Sequence, residues 1–191
     1  MTLLCQRGRP IPVLPSIVAA LVLACAVPAA AQNATAPAVK AAFLYTFVKF
    51  VEWPADTLPA AAPLVICVIG DDAVANALDQ TFKGRKINDH GLATRREKVD
   101  GALLLCHLLY ISGLDENRSI KLLHPLKSAP VLTVSDLDRF ARLGGVAHFS
   151  TEDGKLQFAL NVSAAQRAGL RLSSKLLGLA IIVKDEQDVQ R

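Results

Sequence analysis

Basic residues form no dense cluster anywhere in this chain. Lys+Arg number 21 against 17 Asp+Glu, a net charge of +4. Two of that surplus, Arg7 and Arg9, stand in a leader that holds no acid, so the remainder carries about +2. A charge that small and dispersed argues against a nucleic-acid surface. Internal repeats and low-complexity stretches are also missing, which excludes solenoid and collagen-like architectures. Aromatic residues are scarce at 5%, but hydrophobic residues make up 52% and charged ones 20%. Such a chain can bury a core and is not disordered. At 191 residues it suits a single domain.

Motifs that carry chemistry are missing as well. His90, His107, His124 and His148 never fall three or four residues apart, and neither H-E-x-x-H nor C-x-x-C occurs. Zinc would therefore need ligands converging from distant segments. Gly84-Arg85-Lys86 lacks the further glycine and the Ser/Thr of a phosphate-cradling loop, and there is no G-x-S-x-G elbow. Cys106 and His107 are neighbours in an apolar run. Successive strand residues face opposite ways, which parts a thiol from its base. No cofactor, no metal and no enzymatic activity are expected.

The N-terminus is informative. No charged residue occurs from Pro10 to Val39, Ile17 to Val27 is continuously apolar, and Ala29-Ala30-Ala31 follows. This is the order of a secretory signal peptide over residues 1–31, cleaved to leave Gln32 first. A membrane anchor is the competing reading, but Pro12, Pro15 and Pro28 interrupt the run, and a span takes about 20 apolar residues. Lipidation at Cys25 is a further alternative, with Leu23 a poor fit to such a box. Export would place the chain in an oxidising compartment outside the cytoplasm. Cleavage removes Cys5 and Cys25 and leaves Cys67 and Cys106. In an oxidising compartment two cysteines most simply form one disulfide, two free buried thiols being the alternative.

Periodicity then divides the chain. Residues 32–38 are small and polar, a flexible start. Residues 39–53 read as a helix, with Phe43, Leu44, Phe47, Phe50 and Val51 on one face and Thr46, Lys49 and Glu52 on a polar stripe. Residues 64–69 and 103–111 read as strands buried on both faces. Asp72 would cap a helix over 73–82, and 84–99 is polar and β-tending. A helix over 115–126, a strand over 131–134 and a short helix ending at Ala141 follow. Gly144-Gly145 opens a hairpin over 146–160, where Leu156, Phe158 and Leu160 alternate with polar or small residues. Helices are expected over 163–168 and 173–182, and 184–191 would be a tail. This order predicts one α/β domain over 39–183, a mixed sheet flanked by helices on both faces.

Two places deserve a chemical reading. Asp71-Asp72 after a buried strand could hold Mg²⁺, but helix capping explains a carboxylate there without a metal. Asn161, Arg167, Arg171, Ser173 and Ser174 surround the break at Gly169. A capped helix start with two arginines nearby could hold a carboxylate or phosphate. The same residues also read as an ordinary solvated cap with surface arginines.

The strings KAAFLYTFVKFVEWP, CVIGDD, CHLLYIS, VLTVSD and FARLGGVAHFSTEDGKLQFALNVSAAQRAGLRLSSKLLGLA resemble, in this order, the YfiR-like family. The resemblance spans 39–183 and is most specific over 140–180. It implies a periplasmic α/β protein that represses an inner-membrane diguanylate cyclase by binding its periplasmic sensor region. An outer-membrane lipoprotein that sequesters the repressor is an implied second partner. A small anionic ligand and a homodimer remain open. It also implies that Cys67 and Cys106 are the family's commonest disulfide pair. A second bridge found in some members is missing, since Ala141 and His148 stand in its place. The basic corner, Arg171 first and then Arg167, Asn161 and Ser173, is implied to contact ligand or partner. The alternative is a periplasmic accessory or solute-binding protein of an outer-membrane receptor or sensor-kinase system.

Overall fold

In the computed structural model, which describes residues 36–186, the chain opens on helix α1, Ala36–Phe50. The expected leader and the cleavage site before Gln32 lie outside the described residues. Ala41, Leu44, Phe47 and Val48 form the buried stripe of α1, the three-and-four spacing that a helix needs to meet a sheet. Phe43 and Phe47 pack their rings on Phe149 and Phe158, with centroids 5.0 to 6.0 Å apart. Burying a side chain such as Phe47 contributes roughly 1.5–3 kcal/mol.

The strands in chain order are β1 Val51–Glu52, β2 Leu64–Ile69, β3 Lys86–Ile87, β4 His90–Arg96, β5 Leu108–Ile111, β6 Leu132–Ser135, β7 Ala147–Glu152, β8 Lys155–Asn161, β9 Arg171–Leu172 and β10 Ile181–Val183. The other helices are α2 Asp72–Phe82, α3 Glu116–Leu123, α4 Val162–Arg167 and α5 Ser174–Leu177. Eight strands make one mixed sheet in the order β10-β8-β7-β6-β5-β2-β4-β3, and β1 pairs separately with β9. From β4 through β2, β5 and β6 to β7 every pairing is parallel. The β7–β8 hairpin is antiparallel. Its two-residue turn has Asp153 at φ 50° and Gly154 at φ 72°, the left-handed pair that a tight hairpin requires.

Alternation along the central strands divides the core in two. Ile66, Val68, Leu108, Tyr110, Leu132 and Val134 face α1, α2 and α4. Cys67, Ile69, Leu109 and Ile111 face the other way, with Leu122, Leu123 and Leu126 from the α3 segment and with Phe140. Cys67 and Cys106 are joined on this second face, their Cα atoms 5.8 Å apart. The fold is thus α/β, a mixed sheet covered on both faces.

Several expectations are corrected. Helix α1 begins at Ala36, inside the segment expected to be flexible, and ends at Phe50 because Val51 and Glu52 leave it to pair with Leu172 and Arg171. Asp71, not Asp72, caps α2: its carboxylate accepts from Val74 N at 3.0 Å. The run 103–111 is not one strand. Leu103–Leu105 form a 3-10 turn, and the ladder to β2 ends where His107 Nδ1, in place of a backbone carbonyl, accepts the Val65 N–H. No helix runs to Ala141, because Arg139 at φ 62° breaks it into turns. The last predicted helix shrinks to α5. Beyond Gly178, the β-branched run Ile181–Val183 joins β8 in parallel, as such residues favour. The tail from 184 begins attached, with Asp185 buried.

Candidate functional site

In open α/β sheets ligands favour the carboxyl ends of the strands, where neighbouring strands connect in opposite directions. Here that point lies beyond β2, which has β4 on one side and β5 on the other. Gly70 follows β2 at φ +79°, and a Cβ there would meet Ser112 O at 2.2 Å. Only glycine lets the two strand ends approach so closely. Around this crevice the chain gathers Asp71 after β2, Ser112 after β5 and Asp136 after β6. Lys40 reaches in from α1.

Lys40 Nζ lies 2.8 Å from Asp136 Oδ2 and 3.8 Å from Asp71 Oδ2. The Tyr110 and Ser112 hydroxyls each donate to the same Asp136 oxygen at 3.0 Å. Burial alone would lower the Lys40 pKa, but its bonds to Asp136 and Tyr110 outweigh that and raise it. Burial would likewise raise Asp136, and the Lys40 bond and charge hold it below the usual carboxylate range. Burial also raises the Tyr110 phenol. At neutral pH the lysine is therefore protonated, the phenol is protonated, and the carboxylate oxygen already accepts three hydrogen bonds. None of the three is a free base or nucleophile. The chain's own ammonium occupies the place where such folds receive a ligand, and it ties α1 to the sheet. Among the described residues, no group of three His, Cys, Asp or Glu side chains could hold a metal.

The C-terminal corner is arranged differently from a shared basic pocket. Asn161 ends β8 fully buried, at 0% exposure. Its Oδ1 accepts from Ala164 N at 2.9 Å, which caps α4. Its Nδ2 donates to Ala141 O at 2.7 Å and also to Asp185 Oδ1. Arg167, at the end of α4, pairs with Asp185 Oδ2. Asn161 and Arg167 thus meet on one carboxylate, itself only 5% exposed. Arg171 goes elsewhere. It lies on β9 with its side chain 85% exposed, 3.8 Å from Glu52 on β1, which is also exposed. Ser173 Oγ accepts from Leu176 N at 3.3 Å to cap α5, and its N–H donates to Phe50 O at 3.0 Å.

Sequence reasoning missed Asp185, Lys40 and Asp136. Asp185 had a signal, being the first acid after Asp153 in a stretch that contains Arg167 and Arg171. Lys40 and Asp136 are 96 residues apart, and only the strand order brings them together. No helix among the described residues is long and apolar enough to cross a membrane. The comparison with known families agrees with the architecture: residues 37–181, well over half of the sequence, match the YfiR/HmsC-like family model, and the chain belongs to that family.

Proposed function

We propose that this chain is a periplasmic regulatory protein that represses an inner-membrane diguanylate cyclase by docking on its periplasmic sensor region. The observation that carries the docking step is the edge of the large sheet at β10. Leu179, just before β10, and Ile181 and Ile182 within it are 71%, 51% and 52% exposed, and among the described residues β10 pairs with β8 alone. Natural sheets guard their edges with charge, proline or a covering element. An apolar, uncovered edge suits a partner that adds a strand and buries these side chains. Membership in the YfiR/HmsC-like family supports the class of partner. The Lys40–Asp136 tie favours holding over chemistry, since its groups are locked in unreactive protonation states.

The test is capture from the host's membranes on the chain that starts at Gln32. A diguanylate cyclase should be retained, and Ile182→Asp should abolish retention without lowering the melting temperature. Loss of the gene should raise cyclic-di-GMP, and the Ile182→Asp form should fail to restore repression. Capture of a receptor or sensor kinase in place of a cyclase, with cyclic-di-GMP unchanged, would overturn the reading in favour of an accessory protein.

A further inference from the structure

A cleft opens between the α3 segment and the turn after Phe140. One wall carries Ile120, Leu123, His124 and Lys127, and the other carries Arg142, Leu143 and Gly144. Arg167 and Asp185 close one end. The lining combines an apolar floor with cations, which is the combination that both holds and orients a small anion.

The charges do not cancel. Among the described residues, three cations line the cleft against one carboxylate, and Asp185 is already bound by Arg167 and by Asn161 Nδ2. Neither Lys127 nor Arg142 forms an ion pair among the described residues. The nearby Glu186 pairs instead with Arg139. Ile120 remains 40% exposed in the middle of the wall, an apolar side chain with room beside it. The arginine fork suits a planar carboxylate, and the floor suits a body that water solvates poorly.

We infer that this cleft binds a small organic acid, its carboxylate held by Arg142 and Lys127 and its apolar body laid on Ile120, Leu123 and Leu143. Neither Arg171 nor an exposed side chain of β10 lines the cleft, and the inference stands whether or not the chain docks on a cyclase.

The test is a titration of the ¹⁵N-labelled chain from Gln32 with 3-phenylpropionate, followed by amide shifts. Saturable shifts should concentrate at 120–127 and 142–144. The neutral 3-phenylpropanamide should bind at least tenfold more weakly, and so should inorganic phosphate, which has the charge but no apolar body. Lys127→Gln with Arg142→Gln should weaken the acid by tenfold or more at an unchanged melting temperature. Lys155→Gln, a cation outside the cleft, should change nothing. Equal binding of acid and amide, equal binding of phosphate, or shifts that map elsewhere would each overturn the assignment.

Discussion

The Lys40 ammonium lies 2.8 Å from Asp136 Oδ2, so the first helix is fastened to the end of a strand 96 residues away. Lys40→Met should remove a charge-assisted bond and leave Asp136 to its two hydroxyl donors. About 1–2 kcal/mol should be lost, given the partial exposure of both groups. The sign with pH follows from the two shifts. Asp136 titrates below its ordinary 3.8, so its contribution is present above about pH 4 and is lost as the pH falls through its folded value. Lys40 titrates above its ordinary 10.5, so its contribution is complete below that pH and is lost as the pH rises beyond it. Urea midpoints across the acid range should fall less steeply for Lys40→Met than for the wild type. Superposable profiles would mean that the pair is not coupled to folding.

The Cys67–Cys106 bridge closes a loop over a separation of 39 residues. In the chain-entropy model that constraint is worth about 4 kcal/mol. Cys67→Ser should lower the unfolding free energy by roughly that amount, and thiol labelling of the unreduced, denatured wild type should find neither cysteine of the pair. Full labelling of both would rule the bridge out.

How far the sequence could be read depended on whether a signal was local. The two-faced burial of β2 was legible, because Leu64 to Ile69 is apolar without a break. The β7–β8 hairpin was legible too, from the alternation of Leu156, Phe158 and Leu160, although the turn expected over 151–154 narrows to Asp153-Gly154 because Thr151 and Glu152 pair with Leu156 and Lys155. The end of the chain was not. Ser173 to Ile182 has a helical pattern, yet Ile181 to Val183 gain more by pairing with β8 than by extending a helix past Gly178. The basic corner was read as one site because Arg167 and Arg171 are four residues apart. Gly169, at φ 71°, turns the chain between them and sends their side chains to different partners.

His107 and His148 should make the protein sensitive to mild acid. Burial lowers both below the ordinary 6.5. At His107 the Nδ1 lone pair also accepts the Val65 N–H at 3.0 Å, a bond that protonation would break. The unfolded chain therefore binds more protons than the folded one below about pH 6.5. Stability should decrease as the pH drops through that value and level off once the folded histidines also charge. His148→Leu should flatten part of this fall in a melting series. An unchanged slope would show that His148 binds protons equally in both states.

Arg167 and Arg171 should respond in opposite ways to the same substitution. Arg167 pairs with the buried Asp185, which also accepts from the buried Asn161. Arg167→Ala leaves that carboxylate one partner short in a poorly solvated place, and should cost roughly 3 kcal/mol of stability. Arg171 is 85% exposed, and the Glu52 beside it is 72% exposed. Such a surface pair contributes well under about 1 kcal/mol, so Arg171→Ala should melt with the wild type. If Arg171 contacts the cyclase, binding should still weaken about tenfold, which is about 1.4 kcal/mol. Lys49→Ala on the polar stripe of α1 should be silent in both measurements. Should Arg171→Ala bind and repress as the wild type does, Arg171 is only an edge residue of the β1–β9 pair and docking rests on β10 alone. Should Arg167→Ala melt unchanged, the Asp185 anchor contributes nothing to holding the C-terminal strand.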